Sequence, residues 1–235
     1  GKKFHSNQLD EEIILKNKTN LISEKTRKKV VEKAIKNNFD VVIFDDGLQD
    51  GDINYDLKIV CFDSENWIGN GFLIPSGPLR EKIDSLKKYD IVFLKGECLN
   101  KEHIVKLIKY QNPEIKVFQT YFEAINLNKL NLKNNYLIFS GIGNPNNFRN
   151  TLIRNNFNIV DEIIFPDHYK YKRKDIDYIK SKAKKLNAKI ITTEKDYVKL
   201  SEKDTDNIDF LEIDLNIKNE LDLINFINPI INEKY

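Results

Sequence analysis

The sequence contains no methionine, so Gly1 is not an initiator, and the chain is expected to be a fragment or a processed product. Its two cysteines, Cys61 and Cys98, have neither CxxC spacing nor a histidine close by in sequence. Buried, reduced thiols of a cytosolic protein are the expectation, rather than disulfides or a zinc site. No apolar run approaches the roughly 20 residues of a membrane-spanning helix, and no signal-peptide pattern is visible. Charge of one sign is not in excess either: 38 Lys and Arg stand against 36 Asp and Glu, a formal net charge of +2. That balance gives no argument for nucleic acid as a partner. Also missing is any G-x-x-x-x-G-K-[ST], the loop whose backbone cradles nucleotide phosphates. What is present, 40% hydrophobic and 31% charged residues over 235 positions, belongs to a globular chain of one or two domains.

The leading functional feature is Asp45-Asp46-Gly47-Leu48-Gln49, directly after the apolar run Val41-Val42-Ile43-Phe44. Read as a buried strand, that run delivers two carboxylates at its carboxyl end, where metal and phosphate chemistry collects in α/β proteins. Carboxylates so placed can hold Mg²⁺ against a nucleotide's phosphates. The competing reading is ordinary turn chemistry, with Asp bonding its own backbone and Gly supplying positive φ.

Along the chain, Val30, Val31, Ala34 and Ile35 recur at helical spacing within 26–36, feeding the strand at 41–44. Further strands are expected at 57–62, 91–94 and 116–122, with a helix over 102–110. Residues 123–135 are rich in Asn, Leu and Lys without a helical stripe and read as a linker between a domain at 1–122 and a smaller α/β domain at 136–235. The second half repeats the alternation: strand 136–140, helix from Pro145, strand 159–165, helix 173–186, strand 189–193, strand 210–214 and a helix over 219–231. Ile176, Ile179, Ala183 and Leu186 line one face of the helix at 173–186, which is core patterning. Such alternation specifies an α/β fold built on open, mainly parallel sheet.

Further motifs follow in order: Gly69-Asn70-Gly71-Phe72-Leu73-Ile74-Pro75-Ser76-Gly77-Pro78-Leu79-Arg80-Glu81, then Phe139-Ser140-Gly141-Ile142-Gly143-Asn144-Pro145, then Phe165-Pro166-Asp167-His168-Tyr169, then Ile191-Thr192-Thr193-Glu194-Lys195-Asp196-Tyr197. Together with the Asp45-Asp46 motif they resemble the tetraacyldisaccharide 4'-kinases, the lipid A kinases, from about Asp10 to Leu200. The resemblance implies a P-loop-kinase-like fold whose N-terminal nucleotide-binding part is missing. It implies ATP and Mg²⁺ as cofactors and, as acceptor, the 4'-hydroxyl of a tetraacylated disaccharide 1-phosphate, phosphorylated peripherally at the cytoplasmic face of a bacterial inner membrane.

By the same resemblance Asp45 and Asp46 are the metal-associated pair. Asp10 and Glu11 match an acidic pair in the family's Gly-Asp-Glu-Pro motif, although Leu9 and Glu12 replace its Gly and Pro. Asp10 is then the candidate general base, oriented by His168, with Glu11 binding substrate. Arg80 can grip the substrate's phosphate bidentately, and Gln49 can position a hydroxyl or phosphate.

Each has a structural alternative. Asp10, Glu11 and Glu12 also suit a helix N-terminus, Arg80 an ion pair with Glu81 or Asp84, and Gln49 a turn. Gly141 and Gly143 precede Pro145 at a helix start, Thr193 and Asp196 suit a helix cap, and Lys170, Lys172, Arg173 and Lys174 are either a solvated helix start or a contact for anionic lipid. With no phosphate-binding loop, the chain is expected to be inactive alone. The alternative function is a non-catalytic homologue that binds lipid or a partner.

Overall fold

The computed structural model describes residues 8–48, 51–96 and 100–232, without the side chains of residues 8–11 and 17. In chain order the elements are α1 (Gln8–Lys18), α2 (Arg27–Lys36), β1 (Ile59–Asp63), β2 (Ile91–Lys95), α3 (Lys101–Gln111), β3 (Lys116–Ala124), β4 (Asn135–Ser140), α4 (Pro145–Arg154), β5 (Asn158–Ile164), α5 (Arg173–Lys185), β6 (Lys189–Thr193), α6 (Glu194–Tyr197), β7 (Ile208–Leu211), β8 (Ile213–Ile217) and α7 (Glu220–Asn232). Short 3-10 helices cover Ile83–Lys88 and Leu127–Lys129. The residues group into two compact units, both discontinuous in sequence: residues 1–21 with 124–214, and residues 22–123 with 215–235.

In the unit of residues 22–123 and 215–235, β1, β2 and β3 pair in parallel and β8 lies beside β3. Strand β2 is covered on both faces, as a parallel sheet requires. Val92 and Leu94 pack with Ile104 and Ile108 of α3, while Ile91 and Phe93 pack with Leu223 and Phe226 of α7. Helix α2 starts where Thr26 accepts a hydrogen bond from the Lys29 amide at 3.4 Å, a Thr N-cap meeting an otherwise orphaned donor.

The other unit carries the sheet β5-β4-β6-β7, parallel throughout. Period-2 alternation in the central strand β4 sends Tyr136 and Ile138 into one core with Phe148 and Leu152 of α4. It sends Leu137 and Phe139 into the other with Ile176, Ile179 and Ala183 of α5. Pro145 takes the first helical position of α4, where its missing N–H costs nothing, and Asn144 caps it. Asn126 is buried, donating to the Phe210 carbonyl at 2.8 Å and accepting from the Glu212 amide at 3.0 Å. Residues 124–135 are thereby tied into this unit.

Three expectations are corrected. Residues 41–44 form no strand, and Ile43 is 91% exposed. A strand in a parallel sheet needs a neighbour, and these residues have no ladder partner among the described residues; β1 pairs with β2 alone. The apolar run 210–214 is split between β7 and β8, which join different sheets. Leu186 lies beyond the end of α5, outside its buried stripe, and is partly exposed.

Ile179 is fully buried on α5. Ile179→Ala is expected to destabilise its unit by about 2–5 kcal/mol through lost burial and the cavity left behind. Urea unfolding followed by circular dichroism checks this, the midpoint falling with little change in slope.

Candidate functional site

The Asp45-Asp46 turn is built by its neighbours rather than by strand pairing. Phe44 packs edge-to-face on Tyr55, whose hydroxyl donates to the Gly47 carbonyl at 2.8 Å. Asp46 sits at φ 51°, the left-handed region that Asp tolerates better than most residues. Arg80 Nη1 donates to the Asp46 carboxylate and Arg27 Nη2 to the Asp46 backbone carbonyl at 2.7 Å. Two guanidinium groups therefore converge on one acidic residue. The pairing is solvent-exposed, with more than half of each of the Arg80 and Asp46 side chains accessible, so its net worth is only about 0–1 kcal/mol and it exchanges readily for another anion.

These residues border a cavity of about 680 Å³ that Asp45, Asp46, Cys61, Asp63 and Arg80 help to line. At the edge strand β1 the Asp63 carboxylate pairs with Lys95 at 2.7 Å. Burial works against the Asp63 charge, but hydrogen bonds from Lys95 and the backbone outweigh it and hold the carboxyl below its ordinary 3.8. Cys61, expected to be buried, is exposed instead, because β1 is an edge. The part of its thiol that is covered, and then the charge of Asp45, still push its pKa up. Cys98 lies outside the described residues.

Arg80 reaches this turn from a tightly closed loop. The Ile74 amide donates to the Leu79 carbonyl at 2.8 Å, and the Leu79 amide to the Phe72 carbonyl at 3.2 Å. A Cβ at Gly77 would lie 2.4 Å from the Phe72 carbonyl oxygen, so only glycine fits there.

In the other unit, His168 also has a left-handed backbone, φ 55°. Its amide donates to the Gly141 carbonyl at 3.1 Å and to Asp167 Oδ1 at 2.9 Å. Its Nε2 lies 3.8 Å from Asp167 Oδ2. Gly141 is in turn held by Asp196, fully buried, whose Oδ2 accepts from the Gly141 amide at 2.9 Å and from the Thr193 hydroxyl at 2.8 Å. The Lys199 ammonium, 6% exposed, closes the cluster on Asp196 Oδ1 at 2.9 Å. Phe139, Phe165, Tyr169 and Tyr171 pack edge-to-face and stacked around it. Burial, and then the Asp196 charge, drive the Tyr171 hydroxyl far above its usual pKa.

The expected site residues are distributed as follows. Asp45, Asp46 and Arg80 come together in one unit, and His168 stands in the other. Asp10 and Glu11 lie in α1, but their side chains, like Gln49, fall outside the described residues. Arg80 pairs with Asp46 rather than with Glu81, which accepts from Tyr89. Thr193 does cap α6, accepting from the Asp196 amide at 3.1 Å. Glu194 pairs with Lys18, and Arg173, one of the four charges of the basic run at 170–174, with Asp177 and Asp204. Arg27 was not singled out by sequence: it lies in a run of lysines, and only its contact with Asp46 distinguishes it. Among the described residues, no group of three or more His, Cys, Asp or Glu is placed to hold a metal ion.

The family model for Tetraacyldisaccharide-1-P 4'-kinase matches residues 5–232. The chain belongs to the tetraacyldisaccharide 4'-kinase family. Among curated members of the family, the tetraacyldisaccharide 4'-kinase of Pelagibacter ubique (strain HTCC1062) is 45% identical over 227 residues, 95% of this chain and 71% of that protein. Those of Rickettsia bellii (strain OSU 85-389) and Rickettsia akari (strain Hartford) are 40% and 37% identical over 89% and 92% of this chain. The chain spans 64% of the length of each of these two. The solved "apo" form of LpxK from Aquifex aeolicus in complex with ATP shares the α/β fold with parallel sheet, at TM-score 0.51 and 20% identity over 76% of this chain and 53% of that one.

Two predictions follow from the clusters. Asp196→Asn removes the carboxylate charge that the buried Lys199 ammonium pairs with and is expected to cost about 3–5 kcal/mol; adding Lys199→Met should recover part of that loss in the same urea titration. Asp63 has its folded pKa below its unfolded one, so its contribution is complete at neutral pH and is lost as pH falls through the folded value, below 3.8. The stability difference between wild type and Asp63→Asn should therefore be constant from neutral pH down to about pH 5 and vanish in strong acid.

Proposed function

We propose that this chain carries the acceptor-binding and metal-binding portion of an ATP-dependent kinase acting on the 4'-hydroxyl of a tetraacyldisaccharide 1-phosphate in lipid A biosynthesis, at the cytoplasmic face of the inner membrane. The observation that carries this reading is the convergence of Arg27 and Arg80 on Asp46, beside a cavity in a chain of this family. An arginine held by an exposed carboxylate is pre-positioned to transfer its fork to a phosphate.

Asp45 and Asp46 fit a magnesium site. Mg²⁺ is bound by one or two carboxylates with water and substrate phosphates completing its shell, and adjacent carboxylates on an exposed turn offer that number of ligands. Bound there, the ion would neutralise charge on the transferring phosphoryl group. Asp46 would hold the cation with the carboxylate that now accepts from Arg80, whose guanidinium would then be available to the 1-phosphate of the lipid. Gln49 follows the pair closely enough in sequence to position a hydroxyl.

Proton transfer from the acceptor hydroxyl falls to Asp10, with His168 as the group that orients it and tunes its basicity. The support for His168 is its strained, doubly bonded backbone, a conformation maintained only where the surroundings impose it. Glu11 is assigned to substrate binding alongside Asp10.

No G-x-x-x-x-G-K-[ST] occurs in the 235 residues. The polypeptide by itself is therefore expected to transfer no phosphate from labelled ATP to the lipid, since the backbone cradle and lysine for the β- and γ-phosphates are not among its residues. A chimera that joins it to the part of the Pelagibacter ubique relative lying outside the matched region is expected to phosphorylate the lipid. An inactive but folded chimera would overturn the kinase reading in favour of a lipid-binding homologue. In the active chimera, Asp10→Asn and His168→Ala are each expected to lower kcat by roughly 10²–10⁴. The double variant should be scarcely worse than the worse single one, because one broken unit cannot be broken twice.

A further inference from the structure

The loop that delivers Arg80 exposes Phe72, Leu73 and Ile74 in succession, Phe72 at 63% and Ile74 at 62%. Three consecutive large apolar side chains facing water are unusual unless they serve contact. Much of the backbone beneath them is bonded within the loop. The Ser76 and Gly77 amides donate to the Leu73 carbonyl at 2.9 and 3.0 Å, Ile74 and Leu79 bond across the loop, and Asn70 accepts from the Phe72 amide and donates to the Ser76 carbonyl at 2.8 Å. A loop bonded internally to this degree enters an apolar phase at a lower desolvation cost than an open one.

Charge indicates which apolar phase. Phe72, Leu73 and Ile74 share a groove of about 720 Å³ with Ile83, the exposed Lys82 and the exposed Asp84, and the 3-10 helix ends in the exposed Lys87 and Lys88, so that lysine outnumbers acid along this flank. Apolar tip and cationic flank together match a bilayer that carries anionic headgroups over acyl chains. A second copy of this chain fits worse, because a self-complementary contact would bring these lysines against one another. Arg80 directly follows Leu79, which closes the base of the same loop on Phe72 and Ile74.

We propose that the 72–74 tip inserts into an anionic phospholipid bilayer, with Lys82, Lys87 and Lys88 on the headgroups, and that this contact presents the proposed phosphate grip of Arg80 to a lipid still seated in the membrane. The last step rests on the function proposed above; the membrane contact does not.

The test is pelleting of the 235-residue chain with vesicles of phosphatidylcholine and phosphatidylglycerol in about a three-to-one ratio, against phosphatidylcholine alone. Wild type is expected to pellet with the anionic vesicles and to be released by salt. Phe72→Ser/Ile74→Ser should lower its partition coefficient about tenfold or more, and Lys82→Gln/Lys87→Gln/Lys88→Gln should lower it and flatten its salt dependence. Unaltered partition in the serine variant, or equal partition of wild type into both kinds of vesicle, would overturn the proposal. So would concentration-dependent self-association, without vesicles, that the serine substitutions abolish. Should the double serine variant fail to fold, Phe72→Trp decides: its emission moves to shorter wavelength on anionic vesicles if the tip inserts and stays put if it does not. Vesicle binding needs no phosphoryl transfer, so its failure leaves the kinase reading standing, and an inactive chimera leaves the membrane contact standing.

Discussion

A single buried carboxylate organises the unit formed by residues 1–21 and 124–214. Asp196 lies fully out of water at the carboxyl ends of β4 and β6, and an ionised side chain tolerates that only when it is paired and hydrogen-bonded. Lys199 supplies the charge, Thr193 a hydroxyl and Gly141 an amide. Having its amide taken, Gly141 turns its carbonyl toward the His168 amide. A Cβ on Gly141 would meet the Tyr171 hydroxyl at 3.0 Å and the Pro166 carbonyl at 3.2 Å, so the close approach favours glycine. The chain of contacts from α6 to the histidine loop thus follows from satisfying one charge, with the aromatic wall around it excluding water and strengthening every bond inside.

In the other unit, the Asp46 cluster is held by weak, exposed interactions. Asp46 holds Arg80 and Arg27 without burying them, the kind of pairing that yields to a better anion or cation. Binding sites are drawn from such low-stability regions, whereas cores are not. The contrast assigns different work to the two clusters: Asp196 fixes a backbone, and Asp46 keeps two arginines ready.

Most helices and strands were legible because their apolar period matches their element. The strand read at 91–94 is β2, and Ile176, Ile179 and Ala183 on α5 face a core as read. The strand at 41–44 was misread because apolar content reports a preference for burial, while a strand also needs a ladder partner, and none is supplied among the described residues. Splitting of 210–214 between two sheets, and the return of α7 to the unit of residues 22–123, are long-range choices that a local period does not encode. For the candidate site, motif order singled out the acidic turn and Arg80 but not their mutual contact. Arg27 was hidden in Thr26-Arg27-Lys28-Lys29, where nothing in charge or spacing separates it from its neighbours. Asp196 read with Thr193 as a helix cap, which the two do form, because sequence shows that local bond and not the distant one to Gly141 or the burial of the pair with Lys199.

The central claim is that Arg80 is a phosphate grip which Asp46 keeps in place. It is tested most directly by the affinity of this chain for tetraacyldisaccharide 1-phosphate, measured against the same lipid without its phosphate, in wild type and Arg80→Ala. Wild type is expected to prefer the phosphorylated lipid, and Arg80→Ala to lose that preference while binding the unphosphorylated lipid as before. Equal losses on both lipids would contradict the account and leave Arg80 as a structural partner of Asp46.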